Sequence, residues 1–425
     1  MTSRSTRGTP RAVLLPVAVW AATRAVLLLC VLKVLVVPGP DVTGDVSVIY
    51  QGWSDVLRTG TFPVDDVTWQ YPPGAALAVL SPALLPFLGY AHAFFVLLLA
   101  VDAAVLALFL RAARRPGNRP AGAWAWIAGV ALLGPTAYAR YDLMVTAVAV
   151  AALFAAARRP RVAGALIACG TLLKVWPALL LCGAAVRGGR ARALWCAAAL
   201  GTAALTVCCV AAAPGALSFV GAQRGRGTEV ESLGALVLHV ARQFGWSGRV
   251  LLNYGSMEFV GPLVPQVSAV ALALSCAAFG WLLRWRMRAR ELTAGLCADA
   301  AFTAVLLFTT TSRVLSPQYL LWLVGLAAVC LTARAGRQGL PAVLVLLATG
   351  VTFLEFPLGF AHVVASDGTG LTVLLLRNGL LAAACLLACR RLWRATAAPP
   401  AARRADGGPT GKATADRAPV SSARP

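Results

Sequence analysis

Acidic residues are scarce in this chain. Of 425 residues, 16 are Asp or Glu against 38 Lys or Arg, for a formal net charge of +22. Charged residues of both signs make up 13%, about half the share in a soluble globular domain, so a well-solvated surface is missing. Histidine occurs only as His92, His239 and His362, far apart in sequence. No His-rich metal site is visible, and no Cys/His zinc spacing, Walker loop or GxSxG elbow occurs. A nucleotide-driven pump and a serine hydrolase of the elbow type therefore lack their parts. The polar loops hold no cysteine: all 11 lie in apolar stretches, as small buried hydrophobes rather than a disulfide framework.

Long apolar runs fill the rest. Hydrophobic residues are 59% and mean hydropathy is +0.75. Runs near twenty residues recur, enough to cross ~30 Å of hydrocarbon. The bases sit at the ends of these runs, where the positive-inside rule puts them, so the charge implies no nucleic acid. The expectation is an all-α polytopic membrane protein with about twelve membrane helices. Residues 1–11 form a cytoplasmic N-terminus, residues 12–394 a single membrane domain, and residues 395–425 a disordered cytoplasmic tail rich in Ala, Pro and Gly. Residues 11–37 form an uncleaved first span, in which Arg24 needs a partner or a cavity and Lys33 can snorkel. Segment 162–186 has arginines at both ends and Lys174 and Pro177 in the middle. A single span would put one basic cluster outside, so the segment reads as two half-helices, in and back out.

Two outer regions result, 38–89 and 214–262. The first carries the densest acidic stretch of the chain, with Asp41, Asp45, Asp55, Asp65 and Asp66 interleaved with Tyr50, Trp53, Trp69 and Tyr71. Two surface helices are expected in it, over 46–57 and 72–87. Carboxylates there can do chemistry, and aromatics such as Tyr50 and Tyr71 can hold a sugar ring or sit at lipid headgroups. Other outward ends collect Arg140 and Asp142 in ARYD, Arg226 and Glu231 in RGTEVES, and Arg313, Ser316 and Gln318 in RVLSPQY; Lys174 points into the same half. Bases with a carboxylate suit transfer from a phosphate-bearing donor: the bases neutralise the leaving phosphate and a carboxylate takes the proton of an attacking hydroxyl. Two blander readings compete. Arg140 with Asp142, and Arg226 with Glu231, can simply be ion pairs. The adjacent Asp65 and Asp66 are weak grounds for a divalent cation, so no cofactor is indicated.

The segments GDVSVIY…YPPG, ARYDLMV, TLLKVWP, RGTEVES, RVLSPQYLLWL and LLLRNGLL, in this order, resemble glycosyltransferase family 87 of the GT-C superfamily. That family includes polyprenyl-phosphate-mannose-dependent α-(1→2)-mannosyltransferases. The resemblance runs from about residue 11 to 394. It implies a GT-C fold and an inverting transfer of a mannose-like hexose, on the extracytoplasmic face of the plasma membrane. The donor would be a polyprenyl-phosphate sugar, the acceptor a lipid-linked or cell-envelope glycan. The family's catalytic Asp maps onto Asp45, and Lys174 and Arg313 fall in matching motifs. Arg313 stands where Lys is expected, and Glu229 where a neutral residue is usual. An arabinofuranosyltransferase with a phospho-arabinose donor is the near alternative. A lipid or solute transporter, which also uses broken helices, is the alternative from another class.

Overall fold

The computed structural model describes residues 11–185, 188–222, 226–289 and 294–396. The expected tail lies outside these residues except for Ala395 and Thr396, which end a helix rather than being disordered, and residues 1–10 and Arg187 also lie outside. The first helix, α1 (Arg11–Val31), is followed by a short π-helix (Asp45–Tyr50) that runs straight into α2 (Gln51–Arg58), and then by α3 (Ala75–Leu80). The bundle continues with α4 (Tyr90–Ala113), α5 (Ala121–Leu132), α6 (Asp142–Ala156), α7 (Pro160–Leu173), a 3₁₀ segment (Trp176–Gly183) and α8 (Gly189–Ala212). The second loop region holds α9 (Phe219–Ala222), β1 (Thr228–Glu229), α10 (Ala235–Gln243), β2 (Arg249–Asn253) and β3 (Ser256–Val260). The chain then completes the bundle with α11 (Val264–Arg288), α12 (Ala294–Thr311), α13 (Tyr319–Thr332), α14 (Gly339–Phe353), α15 (Phe360–Ala365) and α16 (Gly368–Thr396).

Six of these helices are long and apolar enough to cross a membrane by themselves. Helix is the form that satisfies every backbone polar group within its own segment in lipid. Helix α13 is the central post. Leu320 to Cys330 are buried on every side, as expected of a helix that is apolar all round. By contrast α8 and α11 are apolar yet mostly outward-facing, with Leu200, Val207, Leu272 and Leu283 exposed. Cys169, Cys196, Cys208 and Cys276 also lie on outward faces, so these four cysteines are not buried, contrary to expectation.

One end of the bundle is basic. There Arg119 N donates to Thr332 O (2.9 Å) and Arg391 to Arg337 O (2.7 Å). Arg286 donates to Ala184 O at 2.8 Å, which brings the end of the 3₁₀ segment back to that level. Helices α7 and α8 run side by side in the same direction, with Gly164 against Leu194 and Ala198, and Gly201 against Ala168. Two consecutive helices can run in parallel only if the chain between them returns. The broken segment is thus a hairpin of half-helices, turning at Lys174. The first span ends earlier than expected, at Val31, where Lys33 (φ 61°) leaves the helix and pairs with Asp41 at 2.8 Å.

Arg24 finds its partner in Asp102 on α4, at 2.7 Å, with both side chains buried. Asp102 also accepts from Trp126 Nε1 (2.6 Å) and Tyr138 Oη (2.7 Å), and Arg24 donates to Ile127 O (2.8 Å). One carboxylate therefore pins α1, α4, α5 and the turn into α6. A buried pair this fully hydrogen-bonded resists loss of either member, at about 3–5 kcal/mol.

Opposite the basic end lie the two loop regions. In the first, Asp66 accepts from Trp53 Nε1 (2.7 Å), Thr68 N (2.8 Å) and Thr68 Oγ1 (2.6 Å). Burial pushes this carboxyl up, but the Thr68 and Trp53 bonds outweigh it and hold it below the ordinary value. Asp66 is thus occupied by its own loop. In the second region the strands form an antiparallel sheet in the order β1-β3-β2, with Thr228 opposite Phe259 and Asn253 opposite Ser256. Nothing in the apolar-run pattern marks these strands.

Candidate active site between the two loop regions

A cavity of about 590 Å³ opens between the first loop region, the hairpin tip and the ends of α12 and α13. Arg140, Lys174, Arg226 and Arg313 line it, with Asp41, Asp45, Glu229 and Glu231. Tyr71 and Gln318 line it too. Eight of the ten residues singled out from the sequence therefore meet here. The other two, Tyr50 and Asp142, are each 1% exposed and stand directly behind the wall.

Asp45 opens the π-helix, so its backbone is fixed at a helix start. Its carboxylate meets Arg140 Nη2 at 2.9 Å and keeps 37% of its side chain exposed. Arg140 is aimed by two backbone carbonyls, Val42 O at 3.0 Å and Ala139 O at 2.8 Å. Arg140 and Asp142 therefore do not pair with each other, although they stand two apart in sequence. The turn between them sends one to Asp45 and the other inward to Lys174, whose Nζ lies 2.6 Å from Asp142.

Lys174 sits at the break between α7 and the 3₁₀ segment, in extended backbone. Four rings surround its ammonium: Tyr71, Tyr141, Tyr319 and Trp322, with centroids 5.0–5.4 Å away. Ring faces stabilise a cation in such a cage. Trp322 Nε1 donates to the same Asp142 oxygen at 2.6 Å. An ammonium has three donors, and Asp142 takes one. The wall behind the cage is continuous, with Tyr50 stacked on Trp53 at 5.4 Å and packed on Tyr141 at 5.8 Å.

Across the cavity Arg226 pairs with Glu258 (3.3 Å) and donates to Ser256 Oγ (2.8 Å). It does not pair with Glu231. Glu231 is 4% exposed, and its backbone carbonyl accepts from Arg377 and, at 3.4 Å, from Asn378. Burial, with Glu355 and Glu229 nearby, pushes the Glu231 carboxyl well above its ordinary value. That favours the protonated form, which adds an O–H donor to the carboxyl.

Glu229 is the residue whose role was not legible in sequence. Its carboxylate accepts from Leu315 N (2.6 Å) and Ser316 Oγ (2.7 Å), and its own N–H donates to Arg313 O (3.0 Å). It locks the RVLSPQY loop to β1. Burial raises this carboxyl against the lowering pull of Arg226, Ser316 and Leu315. The signal was the departure itself, a charge placed where the neighbouring segments must be held together. Asp102 was missed too: a lone carboxylate in an apolar span, whose partner Arg24 was in plain view.

This arrangement can bind an anionic group among cations that are already oriented, beside an exposed carboxylate on the same cavity wall. Among the described residues no cluster of His, Cys, Asp and Glu has the makings of a metal site.

The sequence model of glycosyltransferase family 87 matches residues 69–310. The match takes in Tyr71, Arg140, Asp142, Lys174, Arg226 and Glu231, while Asp45 and Arg313 lie outside it, before and after, and join the same cavity in space. No curated protein and no solved structure matches the chain. The match covers more than half of the sequence, on a helical bundle with a charged cavity, and the chain belongs to glycosyltransferase family 87.

Proposed function

We propose that this glycosyltransferase moves a mannose-like hexose from a polyprenyl-phosphate donor to a lipid-linked or cell-envelope glycan, with inversion, forming an α-(1→2) linkage. The observation that carries the reading is the meeting of Asp45, Lys174, Arg226 and Arg313 at one cavity. In the transfer, the acceptor oxygen forms a bond to the anomeric carbon as the bond from that carbon to the phosphate oxygen breaks. The bonding pair leaves with the polyprenyl phosphate. The proton of the acceptor hydroxyl passes to Asp45. Arg140 orients that carboxylate, which leaves the second oxygen for the hydroxyl. Lys174, Arg226 and Arg313 balance the phosphate charge, and the guanidinium forks suit two-point contact with phosphate. Tyr71 and Gln318 border the sugar. No bound metal is required by these roles.

The basic end of the bundle is cytoplasmic in this reading, by the positive-inside rule, and the cavity opens on the extracytoplasmic face of the plasma membrane. A Cys-free background tests it with Thr61→Cys and Arg334→Cys, both at exposed positions. An impermeant maleimide should label only the first from outside; the reverse pattern refutes the orientation. The function is tested with purified protein in liposomes and labelled polyprenyl-phosphate mannose. Transfer to extracted envelope glycolipids supports it, while transfer from polyprenyl-phosphate arabinose alone replaces the hexose with a pentose.

A further inference from the structure

The mouth of the cavity is bordered by the β2–β3 hairpin, and one side chain at its tip has no structural task. Asn253 and Ser256 are the last paired residues, so the loop has two residues, Tyr254 and Gly255. Both have positive φ, 50° and 75°, as a type I′ turn requires. The first of these positions favours Asn, Asp or Gly, because a bulky side chain is strained there. A tyrosine in that place is a poor choice for the turn. Among the described residues no ring packs on Tyr254, and its hydroxyl makes no hydrogen bond. It nevertheless lines the cavity together with Asp45, Thr68, Gln70 and Tyr71.

The tip is braced rather than loose. Asn253 Nδ2 donates to Glu258 (3.3 Å), Arg226 holds Ser256 Oγ (2.8 Å), and Gly227 N donates to Glu258 (3.0 Å). On the other side Gly255 packs toward Thr68, which Asp66 fixes by two hydrogen bonds. The turn thus holds a half-buried aromatic ring, with no ring or hydrogen-bond partner among the described residues, in the wall of the cavity that Asp45 also lines.

We infer that Tyr254 is a specificity-determining residue for the acceptor: its ring receives the face of the hexopyranose whose hydroxyl Asp45 serves. The C–H face of a pyranose is apolar and weakly positive, and it complements the negative face of an aromatic ring. The phosphate side of the cavity, at Lys174 and Arg313, is left to the donor. The inference rests on the transferase assignment but not on the identity of the donor sugar.

The test exploits the turn chemistry. Tyr254→Asn removes the ring while suiting the turn better than the parent residue, and Tyr254→Phe keeps the ring. Equilibrium binding of a panel of mannose-, glucose- and galactose-based trisaccharides is measured on the full chain in nanodiscs, with thermal stability as control. At least one trisaccharide should bind the parent. Tyr254→Asn should weaken it at least fivefold with the melting temperature kept or raised, and Tyr254→Phe should stay within twofold. Less than a fivefold loss in Tyr254→Asn overturns the inference, as does equal loss in Tyr254→Phe or a parent that binds none of the panel. A membrane-anchoring role for the ring would give the first of these results. Binding lost in Tyr254→Asn by a protein inactive with every polyprenyl-phosphate sugar would sink the donor reading and leave this one standing.

Discussion

Replacing Asp45 with Asn separates a proton-accepting carboxylate from a structural one. The change keeps shape, size and one acceptor oxygen for Arg140, which lies 2.9 Å away. Val42 O and Ala139 O continue to hold the guanidinium. Asp45 keeps 37% of its side chain exposed against 11% for Arg140, so the pair is partly screened, and Asn, which still accepts from Arg140, should cost stability about 1 kcal/mol. The chemical step has a different scale. A positioned base contributes ~10²–10⁴-fold in rate, or about 2.7–5.4 kcal/mol of barrier. The two readings thus differ by several kcal/mol in transfer and agree in stability. The assay is single-turnover transfer in liposomes, with donor binding measured separately. Transfer should fall at least about a hundredfold with donor affinity and melting temperature nearly unchanged. Transfer within a few-fold of the parent would refute the role of Asp45.

Three further outcomes follow from the same geometry. Lys174→Met strands a nearly fully buried Asp142 and should destabilise the protein by about 3–5 kcal/mol, whereas Lys174→Met with Asp142→Asn should regain most of that, as thermal unfolding will show. In the double variant donor affinity should stay roughly ten- to a hundredfold weaker, the worth of one charge-assisted contact; parent-like affinity would return Lys174 to a packing role. The Asp66 carboxyl is held below its ordinary value of 3.8 by Thr68 and Trp53. Its folded-state pKa is depressed, so its contribution is present above the unfolded value and lost as pH falls through the folded one. Limited proteolysis should therefore find residues 59–70 opening below about pH 4 in the parent, and already open at neutral pH in Asp66→Ala; equal protection of both at neutral pH speaks against it.

Much of the bundle was legible because lipid reduces the problem to length, hydropathy and the place of bases. The half-helix hairpin was legible for the same reason: arginines flank both ends of a segment with Lys174 and Pro177 in its middle. What escaped was what depends on direction. Arg140 and Asp142 look like partners in sequence, but a turn between Tyr138 and Asp142 sends them to Asp45 and Lys174. The sheet escaped because its strands are two to five residues long and their burial does not alternate, so no period-two pattern marks them. Glu229 and Glu258 escaped with it, since their partners Leu315 and Arg226 are set by tertiary contact. Motif order gathered most of the cavity's charged residues into one half of the chain's helices without giving their distances.

The turn at Lys174 also settles a matter of parity. Among the described residues, with the hairpin counted as no crossing, ten helices run from one end of the bundle to the other (α1, α4 to α6, α8, α11 to α14 and α16), and an even number returns the chain to the end it started from. A continuous helix over the same stretch would make the number odd. Everything after it would then be inverted, and Arg226, Glu229 and Arg313 would emerge on the opposite side from Asp45. The two halves of the cavity lie before and after residue 174. They meet at one end of the bundle because that one segment turns back.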